Sequence, residues 1–426
     1  MNTIRRLITR YSLILVGISI QVLFFTSAFH TRWLNGLFSG DALHHCCQGL
    51  DFYQVPNGAY AFWRGGSMTG APLPNGATYA QGHVVNFNVY HPLFTLVVGT
   101  PLLLLKPEQA FYAWMVFNLL LWLGVVAYFF WSFRDHPYID LACFALLANA
   151  EQYLEMAIAQ FQGVFNVLLL LFLIALVKHQ SKRLCGVLYC LTLLVKPIGL
   201  LWIGVLLCKR RFKVAFIGGL LFVAATALFF FVGGYYLNNL STHLFSPNIG
   251  GPNQIITLQA LLHYSAPLPS WLLKGIKYAA LSLVLFCSAL KRVQIAKGIF
   301  LAVVYYLLFY DLTYEYQWTS LAPGIAVCLV CYPEFQTRLS RFCIVLTCLP
   351  SAFFLLNLWH IDIAIDTFYG TSPGTLAWQW MVVSKVTPVL LLSFSVLAGD
   401  IIPAFKQIKA FLYAMRKVNR SLEVFG

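Results

Sequence analysis

Charge is what this chain most lacks: only 10% of its 426 residues are Asp, Glu, Lys or Arg, and the acidic ones number 14. A soluble domain draws about a quarter of its residues from those four types to wet its surface, so a water-soluble globular fold is excluded. Long polar or low-complexity stretches are also missing, which excludes a disordered chain. No internal repeat is evident, so 1–426 reads as a single membrane domain. The 11 cysteines show neither zinc nor redox spacing. Most, such as Cys185, Cys190, Cys208, Cys287, Cys328 and Cys331, sit inside apolar runs and read as small core residues.

What is present is apolar: 60% of the residues are hydrophobic, and the mean hydropathy is +0.76. Runs of roughly 17–25 apolar residues recur along the chain, long enough to cross a bilayer as helices. They are continuous rather than alternating. Because hydrocarbon tolerates only helices and closed barrels, an all-α polytopic membrane fold follows. The 28 Lys and Arg give a net charge of +14. They lie in short clusters between the runs, the pattern of cytoplasmic turns facing anionic lipid rather than of a nucleic-acid surface.

Arg5, Arg6 and Arg10 precede the first run, which lacks a signal-cleavage site and is expected to be retained, so the N-terminus is placed in the cytoplasm. The clusters KHQSKR (178–183), CKRRFK (208–213), KRVQIAK (291–297), TRLSR (337–341) and the basic tail 406–426 mark further cytoplasmic segments. Residues 29–108 then form a first external loop. Four runs lie between its polar part, 30–90, and KHQSKR, and an outside-to-inside path needs an odd number of crossings. The short run 92–105, carrying Pro92, Gly99 and Pro101, is expected to dip in without crossing. Residues 184–208 are flanked by basic clusters on both sides. They should enter and return as two half-helices, turning at Lys196-Pro197. About ten crossings remain: 8–28, 109–131, 138–158, 161–177, 213–234, 270–290, 296–312, 316–332, 341–358 and 378–402.

Polar residues that are costly at membrane depth gather on the external side: Asp41, Asp51, Glu151, Glu155, Gln160, Gln162, Lys196, Asn253, Gln254, Asp311, Glu315 and Tyr316. Such residues mark function more often than packing. His83 and His91 are isolated and fall short of a metal site, so no metal is expected.

Several stretches carry a family resemblance. DFYQVPNGAYAFWRGG (51–66) and NVYHPLFTLVVGTPLLLL (88–105) resemble the acidic first loop and Tyr-x-Pro-Pro stretch of glycosyltransferase family 87, the polyprenyl-phosphate-mannose-dependent α-mannosyltransferases of the GT-C class. Residues 159–211 are similar to its Gly-Gln-x-Asn helix, basic turn, half-helix and Lys-Pro turn. GPNQIITLQALL (251–262) is similar to its Asn-Gln-Ser-Leu loop, and TYEYQWTSLAPGI (313–325) to its Trp-Glu-His-His segment. Together these cover about residues 45–330. His91 stands in place of the first proline of the pair, Ala159 in place of a glycine, and Tyr316-Gln317 in place of paired histidines associated with the sugar site. Those departures bear on the sugar more than on the reaction.

The resemblance implies a GT-C fold and transfer of a hexose, mannose first, from a polyprenyl-phosphate sugar to a lipid- or glycan-linked acceptor hydroxyl. Inversion, an external-face site and a bacterial plasma membrane are implied with it. A displacement of this kind needs a carboxylate base and a cation beside the departing phosphate. Asp51 is the expected base, with Asp41 the alternative and a helix N-cap the plainer role for Asp51. Lys196, with Arg64 second, would hold the phosphate, unless Lys196 only snorkels to the interface. Gln160, Asn253, Gln254, Glu315, Tyr316 and His91 would meet sugar or acceptor. No cofactor is expected beyond the lipid-linked donor as substrate. A transporter or flippase is the competing reading, because half-helices joined at Lys196-Pro197 also suit one. A membrane scaffold subunit is a third.

Overall fold

The computed structural model describes residues 11–37, 49, 51–68, 73, 76–81, 88–229, 256–266, 268–310, 313–350 and 378–400, with the backbone of 365–366 and 370–371. Asp41, His83, Asn253, Gln254, Asp311 and the tail 406–426 lie outside them. The helices are α1 (Ser12–Thr26), α2 (Gln54–Trp63), α3 (Pro92–Leu102), α4 (Pro107–Phe133), α5 (Ile139–Leu147), α6 (Gln152–Ala157), α7 (Gln162–Val177) and α8 (Lys182–Val195). They continue with α9 (Leu201–Cys208), α10 (Phe212–Ala227), α11 (Leu258–Ser265), α12 (Ser270–Ala289), α13 (Ile295–Phe309), α14 (Leu321–Cys331), α15 (Arg338–Cys348) and α16 (Trp378–Asp400). A two-residue antiparallel pair, Ile365–Asp366 with Gly370–Thr371, is the sheet among the described residues.

All of α13 except its first residue, Ile295, is buried, α14 is nearly so, and most of α7 is. They form the centre. The outer helices carry exposed Val22, Phe117, Leu120, Phe216, Phe286 and Phe394, an apolar girdle that water would not tolerate and lipid would. The molecule is a helical membrane protein. Four helices among the described residues are long and apolar enough to cross: Ser12–Thr31, Pro107–Phe133, Ser270–Ala289 and Trp378–Asp400. The expected ten crossings are therefore not matched by ten full-length spans. Residues 138–158 divide into α5 and α6, and 316–332 begins as a 3-10 turn, Glu315–Ser320, before α14.

Breaks and starts have local causes. Pro107 opens α4 at its first turn, where a missing N–H costs nothing, and Gln109 caps it. The Ser181 hydroxyl accepts from the Leu184 N–H (3.2 Å) to start α8. Lys196 is extended (φ −144°, ψ 125°) because the proline after it excludes helical geometry. The Tyr189 hydroxyl then holds the turn by donating to the Gly199 carbonyl (2.9 Å). Close approaches use glycine. A Cβ at Gly186 would lie 2.6 Å from Ile217, and one at Gly218 2.4 Å from Tyr189, so α8 and α10 pack backbone to backbone.

That contact also puts the starts of α8 and α10 at the same end of the molecule, so 182–208 runs to Lys196-Pro197 and back. The other turns at this end are basic. Lys178 donates to the Ser132 carbonyl at the end of α4 (2.7 Å), and Lys209 to Leu290 beyond α12 (2.7 Å). Lys297 pairs with Asp400 (2.9 Å) and Glu334 (3.1 Å). At the opposite end, Tyr306 of α13 bonds Gln317 (3.0 Å), the Ala150 N–H bonds the Cys348 carbonyl (3.0 Å), and α2 and α3 pack together.

Candidate functional site

The end away from the basic turns holds a connected set of polar side chains, organised by Gln160. This residue follows Ala159, whose φ of +50° is left-handed. That geometry suits glycine and costs alanine about 1 kcal/mol. The turn aims the Gln160 amide away from α7. Its Oε1 accepts from the Tyr90 hydroxyl and from the Phe161 N–H (2.8 Å). Its Nε2 donates to Asp51 Oδ2 (2.7 Å) and contacts the Tyr316 hydroxyl (3.0 Å). All four positions of the amide are filled. Flipping it would turn an oxygen toward the Asp51 carboxylate and a donor toward the Phe161 N–H, so the orientation is fixed by its partners.

Asp51 stands in the turn before α2. The N-cap of α2 is Tyr53 and no side chain caps it. Instead, Gln54 donates to Asp51 Oδ1 (2.8 Å) while Gln160 holds Oδ2. Phe52 next to it packs between Phe111, Trp114 and Phe161, which locks the turn against α4 and α7.

Lys196, half-buried at the α8–α9 break, donates to Gln162 Oε1 (2.6 Å), and its ammonium lies 5.2 Å from the centre of the Tyr316 ring. It sits in the field of Asp51 and Glu155. Asp51, Gln160, Tyr316 and Lys196 thus form one continuous line with an anion at one end and a cation at the other. Behind it, Gln162 donates to Asn166 (2.9 Å) and Ser320 (3.0 Å), and Asn166 to Thr319 (2.8 Å).

The remaining predicted residues fall elsewhere. Glu315 is buried one residue before Tyr316 and in the field of Glu151. Arg64 is exposed past the end of α2, its guanidinium 5.1 Å from the Tyr60 ring. His91 is buried as the N-cap of α3. Its Nδ1 accepts from the Leu93 N–H (3.1 Å) and its Nε2 meets the Thr226 hydroxyl (3.1 Å), so both ring nitrogens are engaged within the protein. Gln54, Asn166 and Thr319 belong to the cluster although the sequence did not single them out as site residues, and Tyr90, one of several first-loop aromatics that could stack on a sugar, joins it through its hydroxyl. Gln162 and Asn166, one helical turn apart in an otherwise apolar run, are the signal that was there to read.

The fold and the cluster together define a helical membrane protein with a carboxylate, an ammonium and a bracket of amides and phenols gathered at one end. The model of glycosyltransferase family 87 matches residues 88–309, more than half of the chain, spanning Tyr90, Gln160 and Lys196. The chain belongs to glycosyltransferase family 87. Among curated proteins none matches it.

Proposed function

We propose that this glycosyltransferase moves a hexose, mannose being the first to test, from a polyprenyl-phosphate sugar to a hydroxyl of a lipid- or glycan-linked acceptor, with inversion. The observation that carries the reading is the line from Asp51 through Gln160 and Tyr316 to Lys196. The acceptor O–H gives its proton to Asp51 as its oxygen attacks the anomeric carbon. The bond from that carbon to the phosphate oxygen breaks on the opposite face. The lipid phosphate leaves as an anion beside the Lys196 ammonium, where a poorly hydrated site makes that charge effective. Gln54 and Gln160 orient the carboxylate, and Tyr316 stands at a sequence position where the family pattern has one of its paired histidines. Arg64, exposed near the same loop, meets the incoming phosphate. No cofactor beyond the donor enters this scheme.

The reaction is placed on the external face of a bacterial plasma membrane, with both termini in the cytoplasm and a single GT-C-like domain. The basic turns support the orientation, since they occupy the end opposite the site. The test is transfer by the purified protein from radiolabelled polyprenyl-phosphate mannose. Asp51→Asn should lower kcat by about 10²–10⁴-fold, the usual contribution of a general base, at normal expression. Near-normal turnover in that variant would remove Asp51 from the reaction.

A further inference from the structure

Lys196 carries its charge on a flexible four-carbon stem, in the field of two carboxylates, Asp51 and Glu155. An ammonium so placed would pair with one of them or reach for water, and in either case it would offer little to an incoming anion. What it meets instead is neutral. The ammonium donates to Gln162 Oε1 (2.6 Å), an acceptor that fixes the position of the charge without cancelling it.

The orientation of that amide is dictated from behind. Ser320 gives its single hydroxyl hydrogen to the Gln317 carbonyl (2.6 Å) and Thr319 gives its own to the Tyr316 carbonyl (2.8 Å), so both hydroxyl oxygens are left as acceptors. The Asn166 amide nitrogen therefore donates to Thr319 (2.8 Å), which turns Asn166 Oδ1 toward Gln162. Gln162 Nε2 donates to that oxygen (2.9 Å) and to Ser320 (3.0 Å), and its Oε1 is left to face Lys196. Flipping either amide would set oxygen against oxygen. All four side chains are buried, so water cannot replace a lost bond. The relay is anchored on the 3-10 turn Glu315–Ser320, which also carries Tyr316, so one piece of backbone sets both the phenol and the ammonium beside it.

We infer that Gln162, oriented by Asn166, is a positioning residue: it holds the Lys196 ammonium beside the Tyr316 ring with its charge uncancelled and available to a phosphate. The inference rests on the reading of Lys196 as the cation that meets the donor phosphate, and its test separates the two. Binding of radiolabelled polyprenyl phosphate to the full chain in lipid nanodiscs, with partition into empty discs subtracted, is compared for the wild type, Gln162→Met, Asn166→Leu, Lys196→Met and the two double variants. Gln162→Met keeps the length of the side chain without its acceptor oxygen and should raise Kd about fivefold, the net effect of one hydrogen bond. Asn166→Leu should shift Kd in the same direction, and it carries the test if Gln162→Met fails to fold. Because both act through the ammonium, neither should weaken binding by more than about twofold further once Lys196→Met is present. A loss of full size in that background would assign Gln162 and Asn166 to packing and overturn the inference, as would unchanged affinity in both single variants. Unchanged affinity in Lys196→Met removes the phosphate reading itself, whereas a weakened Lys196→Met beside unaffected Gln162→Met and Asn166→Leu removes the positioning role alone.

Discussion

Among single residues, Gln160 does most to define the site and Ala159 sets Gln160. The sequence shows a glutamine near an external turn and leaves capping, solvation and sugar contact equally open. What it cannot show is that four partners from three distant segments, Asp51, Tyr90 and Tyr316, plus its neighbour's N–H, converge on one amide. The left-handed φ at Ala159 was half legible: a family glycine stands at that position, and the structure supplies its reason. Ala159→Gly should therefore stabilise the protein by about 0.5–1 kcal/mol, relieving strain at that turn. Thermal unfolding in detergent reads this directly. A lower midpoint would mean that the turn is unstrained. Arg64 and His91 illustrate the limit of reading residue types alone. Both suit phosphate or sugar chemically, and only the structure shows that Arg64 is exposed beside a tyrosine ring, open to a ligand, while His91 caps a helix.

At the scale of elements, punctuation by proline is legible and punctuation by tertiary contact is not. The division of 184–207 at Lys196-Pro197 follows from the missing N–H and the restricted residue before proline. The division of 138–158 has no such mark. Residues 148–151 leave the helix because Asn149 accepts from the Glu151 N–H (3.1 Å), the Ala150 N–H bonds the distant Cys348 carbonyl, and Glu151 pairs with Lys385. Those partners lie about two hundred residues on. Helix α16 is fastened at two points in this way, by Lys385 to Glu151 and by Asp400 to Lys297. Both members of the first pair are buried. Lys385→Met should cost about 3–5 kcal/mol because it leaves a buried carboxylate uncompensated, and Glu151→Gln added to it should recover most of that. A double variant as unstable as Lys385→Met would show that the pair is not what holds the turn.

For the whole molecule, the decisive feature is the separation of two ends. Basic turns collect at one, the Asp51 to Lys196 line at the other, and apolar side chains cover the flanks between them. Composition made the membrane class legible, since a chain with so few charges has no other solvent. The number of spans was not legible, because burial within a bundle lets short and broken helices replace full-length ones. If the positive end faces the cytoplasm, a cysteine-free protein carrying Ser67→Cys should react with an impermeant maleimide in intact cells, and one carrying His179→Cys only in inverted vesicles. The reverse pattern would place the site inside.

The central claim is that Lys196 holds a lipid phosphate facing Asp51. Equilibrium binding of polyprenyl phosphate to the purified protein tests it without requiring turnover, acceptor or sugar identity. Lys196→Met should raise Kd by at least about tenfold, in line with removal of a charge-assisted partner, whereas Asp51→Asn should leave Kd equal or lower it by removing a repelling anion. Wild-type affinity in Lys196→Met would contradict the account.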